Sequence, residues 1–426
     1  MLSLTSCKNR RTTTGGRNSD DNLLPENTSS SSSSSVIASN IDLLIQILLC
    51  LPVKSLLVFK SVSKEWLSLI SDPSFITKHC LQNRNSNPRL FLHNSWLGIN
   101  PPEFEFIFLD GRKVTESSLP FKTLNFSNDS ICIKIEQSCN GLLCCSSCAN
   151  MERTYYIYNP STKQYREIIR ESLAMVRRSL SICSVSLAFD PYKSPHYKAV
   201  CIWMKLLSTN PIEGPIYQIE IYSSKTASWR VSGNAFIAPP DIFSTPGVFW
   251  NGSLHWINRL EEGSSLYFDV DRELVKTMPM PPIPDEWDER MTEYFGECRG
   301  HMHLIEIYGP CTSFDILEME TDYSGWNVKY RVNLDSLKIA YPEMVRDVSD
   351  EFVDRLEFFV LLVEEEEEES SSSKLVLQIP DKVISYDLKE MSFMKIHDLA
   401  PSLHGEGSAW YQWLNAYQYV EILSCV

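Results

Sequence analysis

No stretch of this 426-residue chain approaches the roughly 20 consecutive apolar residues that a helix needs to cross a bilayer, which excludes a helical membrane span. The N-terminal MLSLTSCKNRRTTTGGRNS lacks the hydrophobic core of a secretion signal. Its Ser, Thr and Arg bias has some transit-peptide character, but the Ser29–Ser35 tract after it favours a disordered tail over residues 1–35. Positive charge is scarce: 39 Lys and Arg face 54 Asp and Glu, a net charge of −15. Such a chain, without a basic stripe studded with aromatics, is a poor ligand for phosphate backbones, so no nucleic acid is expected. No G-x-x-x-x-G-K-[ST] loop, no G-x-G-x-x-G after a strand and no nucleophile elbow occurs. Thirteen cysteines without an export signal read as reduced thiols, with cytoplasm or nucleus the expected compartment. The cluster Cys139, Cys144, Cys145 and Cys148 holds one C-x-x-C, but structural zinc takes two such pairs or a pair plus two histidines. Buried core thiols are the expectation, with no metal and no cofactor.

What is there begins at residue 36. In VIASNIDLLIQILLCLPVKSLLVFKSVSKEWLSLISDPSFITKHCLQNR, Leu43, Leu44, Ile47, Leu48 and Leu51 recur at helical period. Pro52, without an N–H, ends that helix. A second helix fits Lys54 to Val62, with Leu56, Leu57, Phe59 and Val62 apolar. Ser63 caps a third through Ile70, carrying Trp66 and Leu67. Asp72-Pro73 is an N-cap with proline at the first helical position, opening a fourth with Phe75, Ile76 and Cys80. Four short helices have too little interior to hide this much apolar surface. Either part of it is a docking face or the helices cap a larger domain.

The runs Leu51-Pro52-Val53-Lys54-Ser55-Leu56, Val62-Ser63-Lys64-Glu65-Trp66 and Ile70-Ser71-Asp72-Pro73-Ser74-Phe75 resemble an F-box of the large plant families. The resemblance covers 36–84 and implies docking on the Skp-family linker of an SCF ubiquitin ligase, and through it on cullin. Leu44, Ile47, Leu48, Leu51, Pro52, Leu56, Val62 and Trp66 are the implied contacts. One departure stands out: the family's leading Leu-Pro is Ser39-Asn40 here, and Ser39-Asn40-Ile41-Asp42 has the form of a capping box instead.

From about Pro88 the helical period fades, and short strands rich in aromatic and β-branched residues alternate with turn signals. Aromatic-ended strands enter polar turns at Phe108, Tyr158, Tyr222, Phe268, Phe314 and Tyr386, with spacings of 50, 64, 46, 46 and 72 residues. Glycine-led strands precede several of them, at Asn140-Gly141, Asn251-Gly252 and Arg299-Gly300. A period near fifty with a hairpin at a fixed place predicts propeller blades. The last long spacing holds a predicted helix, Asn333 to Arg355, and the Glu364–Ser373 tract, whose glutamates could attract a basic substrate segment but which reads as a solvated hairpin loop. His301 and His303 lie on one side of a strand without a third ligand and read as ordinary strand histidines. Trp410, Tyr411, Trp413, Tyr417 and Tyr419 offer a candidate binding patch but read better as core at a ring closure, in which Tyr419–Val426 pairs with the strand near Arg89–His93.

This second region resembles the kelch-like F-box-associated region of plant F-box proteins. The expected fold is mainly β, a kelch-like propeller of six or seven blades over 85–426, preceded by a small all-α F-box domain. The implied function is a non-catalytic substrate receptor that holds an unidentified protein for ubiquitination. The alternative is a propeller interaction protein working without a ligase. An enzyme of the kelch-like oxidase sort would need convergent metal ligands that the repeats do not display.

Overall fold

The computed structural model describes residues 41–83, 89–93, 104–115, 119–121, 124, 133–149, 152–171, 180–205, 214–259, 264–346, 355–365, 372–399, 411 and 413–426. Two compact units divide at Ile47/Leu48. Of the first, the described part opens helix α1 (Ile41–Leu49), with Asp42 in its first turn. Ser39 and Asn40 lie outside the described residues.

The second unit begins with α2 (Val53–Phe59), α3 (Lys64–Ile70) and α4 (Pro73–Gln82). The caps expected from sequence form. Ser63 Oγ accepts the Trp66 N–H at 3.1 Å. Asp72 Oδ1 accepts those of Ser74 at 2.8 Å and Phe75 at 3.3 Å, with Pro73 at the first helical position. Helix α2 stops at Phe59, short of the expected Val62. There the Ser61 N–H and hydroxyl both take the Val58 carbonyl, and the Val62 N–H takes that of Phe59, a tighter turn that ends the α-helical ladder.

Six sheets follow, so the open choice between six and seven blades resolves to six. β1 (Arg89–His93) and β2 (Phe104–Phe108) start the ring. The next three sheets are β3 (Ile133–Cys139), β4 (Leu142–Ala149), β5 (Glu152–Asn159), β6 (Gln164–Glu171); β7 (Leu180–Ala188), β8 (Lys198–Lys205), β9 (Ile216–Ser223), β10 (Ser228–Ile237); and β11 (Val248–Trp250), β12 (Ser253–Trp256), β13 (Ser265–Asp269), β14 (Leu274–Met278). The fifth is β15 (Thr292–Cys298), β16 (His301–Glu306), β17 (Ser313–Met319), β18 (Trp326–Asn333). After α5 (Asp335–Ala340) and a ribbon of β19 (Val345–Arg346) with β20 (Arg355–Leu356), the sixth is β21 (Phe359–Glu364), β22 (Lys374–Ile379), β23 (Lys382–Asp387), β24 (Phe393–Asp398). In each four-stranded sheet the strands pair antiparallel in sequence order. Apolar residues of neighbouring sheets merge into shared cores, as where Tyr217 and Phe243 meet Trp256 and Phe268.

The turns explain why these strands form hairpins. Between first and second strands, Asn140-Gly141, Asn251-Gly252 and Arg299-Gly300 all have positive φ, the two-residue turn whose twist matches the strands. Between third and fourth strands, Asn159, Asp269 and Asp387 each accept two backbone N–H groups, to residues two and three ahead. A left-handed residue then closes each turn: Lys163, Glu273 and Met391. These tight turns occupy one face of the ring, and the long connections between blades occupy the other. The chain enters the ring on the tight-turn face, where His79, Cys80 and Asn83 of α4 line a small cleft with Asn140, Tyr192 and Ile422.

The ring closes through its C-terminus. β25 (Ala416–Tyr419) pairs antiparallel with β1, matching Tyr419 to Arg89 and Tyr417 to Phe91, and completes a three-stranded sheet with β2. The pairing strand is therefore Ala416–Tyr419; of the expected Tyr419–Val426 only Tyr419 pairs, and residues 420–426 run on past the strand. Ile422, Leu423 and Ser424 are buried all the same. Asn159 Nδ2 donates to the Ser424 carbonyl at 2.7 Å and the Ile422 carbonyl at 3.3 Å, and Ser161 Oγ accepts the Ile422 N–H at 3.0 Å. A side chain on Gly141 would meet the Val420 carbonyl at 2.6 Å, so glycine there serves both its φ of +89° and the passage of the tail.

Three sequence expectations are corrected. The predicted helix Asn333–Arg355 shrinks to α5, one 3-10 turn at Pro342–Met344 and the ribbon, because Pro342 cannot continue the helix. The third-strand turn of the fifth blade lies at Glu320–Gly325, so Phe314 starts its strand and does not end it. The acidic tract is not wholly solvated: Glu364 ends β21, and both it and Glu365 are buried.

Candidate functional site

Two surfaces present themselves, the helices α2–α4 and the long-loop face. In the helices, Leu56, Ile70, Phe75 and Ile76 form the buried side. Phe59 and Trp66 meet edge to face at 5.4 Å. His79 Nε2 lies 2.9 Å from the Leu51 carbonyl, and Asn83 Nδ2 donates to the carbonyls of Leu49 at 3.2 Å and His79 at 2.8 Å. Burial lowers the His79 pKa against the opposing pull of that carbonyl, so the ring is neutral and donates.

Burial divides the contacts that the sequence implies. Leu44, Leu48 and Leu56 are buried, Leu51 and Trp66 half-buried, and Ile47, Pro52 and Val62 exposed. Further large apolar residues face solvent, among them Val58 at 65% and Leu67 at 46%, with Ile41, Leu43 and Leu81 exposed as well; Val62 itself is 59% exposed. Val58 shares a short helix with buried Val53 and Leu56, a contrast that a seven-residue helix is too short to show as period.

The inner edge strands enclose a cavity of about 390 Å³ that reaches from the loop face to the Asn140-Gly141 turn, lined among others by His93, Gln137, Tyr294, Trp413 and Gln418. Gln137 ties three blades: its Nε2 donates to the Gly247 carbonyl at 2.8 Å, and its Oε1 accepts the Leu187 N–H at 2.6 Å. Gln418 Nε2 donates to the Glu297 carbonyl at 2.7 Å. The wall is thus fixed across blades by amide side chains. A second cleft of about 420 Å³ adjoins it, sharing Thr245, Phe295 and Trp413.

Residues 40–78 match the F-box domain family, and 104–299 match the F-box associated beta propeller domain. Over 418 residues the chain is 33% identical to F-box protein At5g07610 of Arabidopsis thaliana, covering 92% of this chain and 93% of that one. The chain belongs to the plant F-box proteins. F-box protein At5g49610 of the same plant is 32% identical, covering 71% of this chain and 80% of its own length. Among solved structures, TolB from Acinetobacter baumannii overlays 78% of this chain and 67% of its own at 10% identity and a TM-score of 0.41, too distant to bear on function.

As an F-box protein it is an adaptor, in which docking helices carry a recognition domain. Among the described residues no group of three or more His, Cys, Asp and Glu has a metal-binding arrangement, and no helix is long and apolar enough to cross a membrane. Cys139, Cys144 and Cys145 are buried free thiols whose pKa values burial drives up. His301 and His303 do acquire acidic partners, each from a different element. His301 faces Glu318, which also takes Lys329 at 2.7 Å. His303, fully buried, lies 3.0 Å from Glu365, whose other oxygen accepts from Tyr330 at 3.1 Å and Ser373 at 2.9 Å. Burial alone would raise the Glu365 pKa, but the hydrogen bond and charge of His303, with Ser373 and Lys329, outweigh it and hold it down at about 2. This cluster fastens both ends of the acidic hairpin to the fifth blade.

In the sequence Trp413 belongs to a set that is either a binding patch or core, and no motif marks the carboxylates near it, Asp241 and Glu289. The C-terminal aromatics read there as one core, and Tyr411, Tyr417 and Tyr419 are buried accordingly. Trp413 is only partly buried and lines both loop-face cavities. Trp410 lies outside the described residues.

Proposed function

We propose that this F-box protein is the substrate receptor of an SCF-type ubiquitin ligase. The F-box helices dock on a Skp-family linker, with cullin beyond it, and the loop face of the propeller holds the protein to be ubiquitinated. The observation that carries this reading is the exposed apolar set Val58, Val62 and Leu67 on α2, the following turn and α3, in a segment that matches the F-box. Exposed aliphatic residues on helices and turns cost solubility unless a partner covers them. The layout supports the same reading. Helices α2–α4 sit at the tight-turn face, which leaves the long connections on the opposite face free for a substrate. Catalysis then consists of proximity: the receptor raises the effective concentration of a substrate lysine near the charged conjugating enzyme, and needs no active site of its own.

Proximity labelling under proteasome inhibition tests this, comparing the intact chain with one lacking 41–83. Proteins labelled by both, but accumulating and ubiquitinated only with the intact chain, are the expected outcome. Identical ubiquitination with both would argue for a propeller acting without a ligase.

A further inference from the structure

The connection from β14 to β15, residues 279–291, is the most acidic described segment of the loop face. It carries Asp285, Glu286, Asp288 and Glu289, all exposed, and none has a cationic partner among the described residues. The segment is nevertheless held firmly. Arg290, nearly buried, donates to Glu306 at 2.9 Å and to the Pro281 carbonyl at 2.7 Å, while its N–H donates to the Arg259 carbonyl at 2.8 Å. Tyr308 OH donates to the second oxygen of Glu306 at 3.0 Å, and the Trp287 ring meets Tyr308 edge-on at 5.6 Å. Four unpaired negative charges therefore stand on a rigid frame.

Beside that frame lies the cleft of about 420 Å³, with Ile242, Pro246, Trp256, Phe295 and Trp413 as apolar walls. Asp241 and Glu289 line it as well, and Arg259 is the single cation among its described lining residues. In the same wall Thr292 Oγ1 is buried with no hydrogen-bond partner among the described residues. An apolar slot with a negative rim is complementary to a cationic segment with one bulky apolar side chain. Because the rim is already ordered, binding there costs little conformational entropy.

We propose that this cleft is the substrate seat of the receptor and takes a Lys/Arg-rich peptide segment anchored by a large apolar side chain. The inference rests on the receptor reading above and specifies its recognition chemistry. Position argues in its favour: the cleft opens between the fourth and fifth blades on the long-loop face, away from α2–α4.

The test is fluorescence anisotropy on the full chain co-expressed with the Skp-family linker, using three labelled heptapeptides. One places tryptophan at the centre of lysines and arginines, one replaces that tryptophan with alanine, and one surrounds tryptophan with acidic residues. The first is expected to bind saturably and to weaken with salt, the second roughly tenfold more weakly, and the third not at all. Combining Asp285→Asn, Glu286→Gln, Asp288→Asn and Glu289→Gln should weaken the first peptide roughly tenfold, with the melting temperature and linker co-purification unchanged. These side chains are exposed, so the fold does not depend on them. Equal binding by the variant, equal binding of the alanine peptide, or no saturable binding of the first peptide would overturn the seat. Loss of linker co-purification by the unaltered chain would instead count against the receptor reading alone.

Discussion

Asn159 does more for this fold than its place in a turn implies. Its carboxamide oxygen holds two N–H groups of its own turn, and its amide donates to carbonyls in the C-terminal tail, 265 residues away in the case of Ser424. Replacing it with alanine strands buried polar groups on both sides. We expect Asn159→Ala to cost about 1–3 kcal/mol in denaturant titrations, well beyond an ordinary turn substitution. The turn role was legible in the Tyr-Asn-Pro-Ser unit of the sequence; the tail contact was not, because nothing local encodes a partner at that separation. Glu365 hid for a similar reason. In a run of six glutamates each resembles the next, and only the fold singles out the one that meets His303.

That pair has a consequence for pH. The Glu365 pKa is depressed in the folded state, so its contribution is fully present above the unfolded value near 4.3 and is lost as pH falls toward about 2. His255 acts at a higher window. Burial of the ring, which stacks on Tyr267 and Tyr323, lowers its pKa to about 4 against the opposing pull of the Val248 carbonyl 3.1 Å away. Its neutral form is the folded one, so stability falls as pH drops from about 6.5 toward 4. In urea titrations across pH, Glu365→Gln should flatten the limb between about pH 4 and 2 and leave the limb above it unchanged. A variant with the wild-type slope below pH 4 would remove Glu365 from this role.

At the level of elements, the propeller depends on one short strand. β25 makes the inner edge of the first blade, and its loss would open an unpaired edge on β1 and uncover Phe91 and Phe106. Deleting residues 416–426 should abolish soluble, cooperative folding of the whole ring. A truncated chain that still melts in one sharp transition would refute closure by this strand. The acidic hairpin predicts the opposite. Exchanging residues 366–371 for a short turn should leave the melting temperature within a few degrees, provided Glu365 and Ser373 remain. Much of this architecture was legible in advance. Capping residues and Pro52 marked the helices, and Asn-Gly pairs with aromatic-ended strands marked the hairpins, because each is a local backbone requirement. The fifth blade misled since Phe314 mimics the aromatic that elsewhere ends the third strand, while Met319 occupies that place.

For the molecule as a whole, the proposed function puts two partners on two faces. Helix α2 and the turn after it present Val58 and Val62 to solvent while Leu56 and Ile70 hold the interior, so the proposed contacts and the folded core fall on different side chains. Burial, which no single sequence displays, separates the two sets; the eight residues implied by family resemblance mix them. Titrating a Skp-family linker into the intact chain by calorimetry tests this assignment most directly. We predict one-to-one binding that Val58→Asp with Val62→Asp weakens at least tenfold, about 1.4 kcal/mol, without lowering the melting temperature. Absence of binding by the unaltered chain, or an unchanged affinity in the double variant, would contradict the assignment.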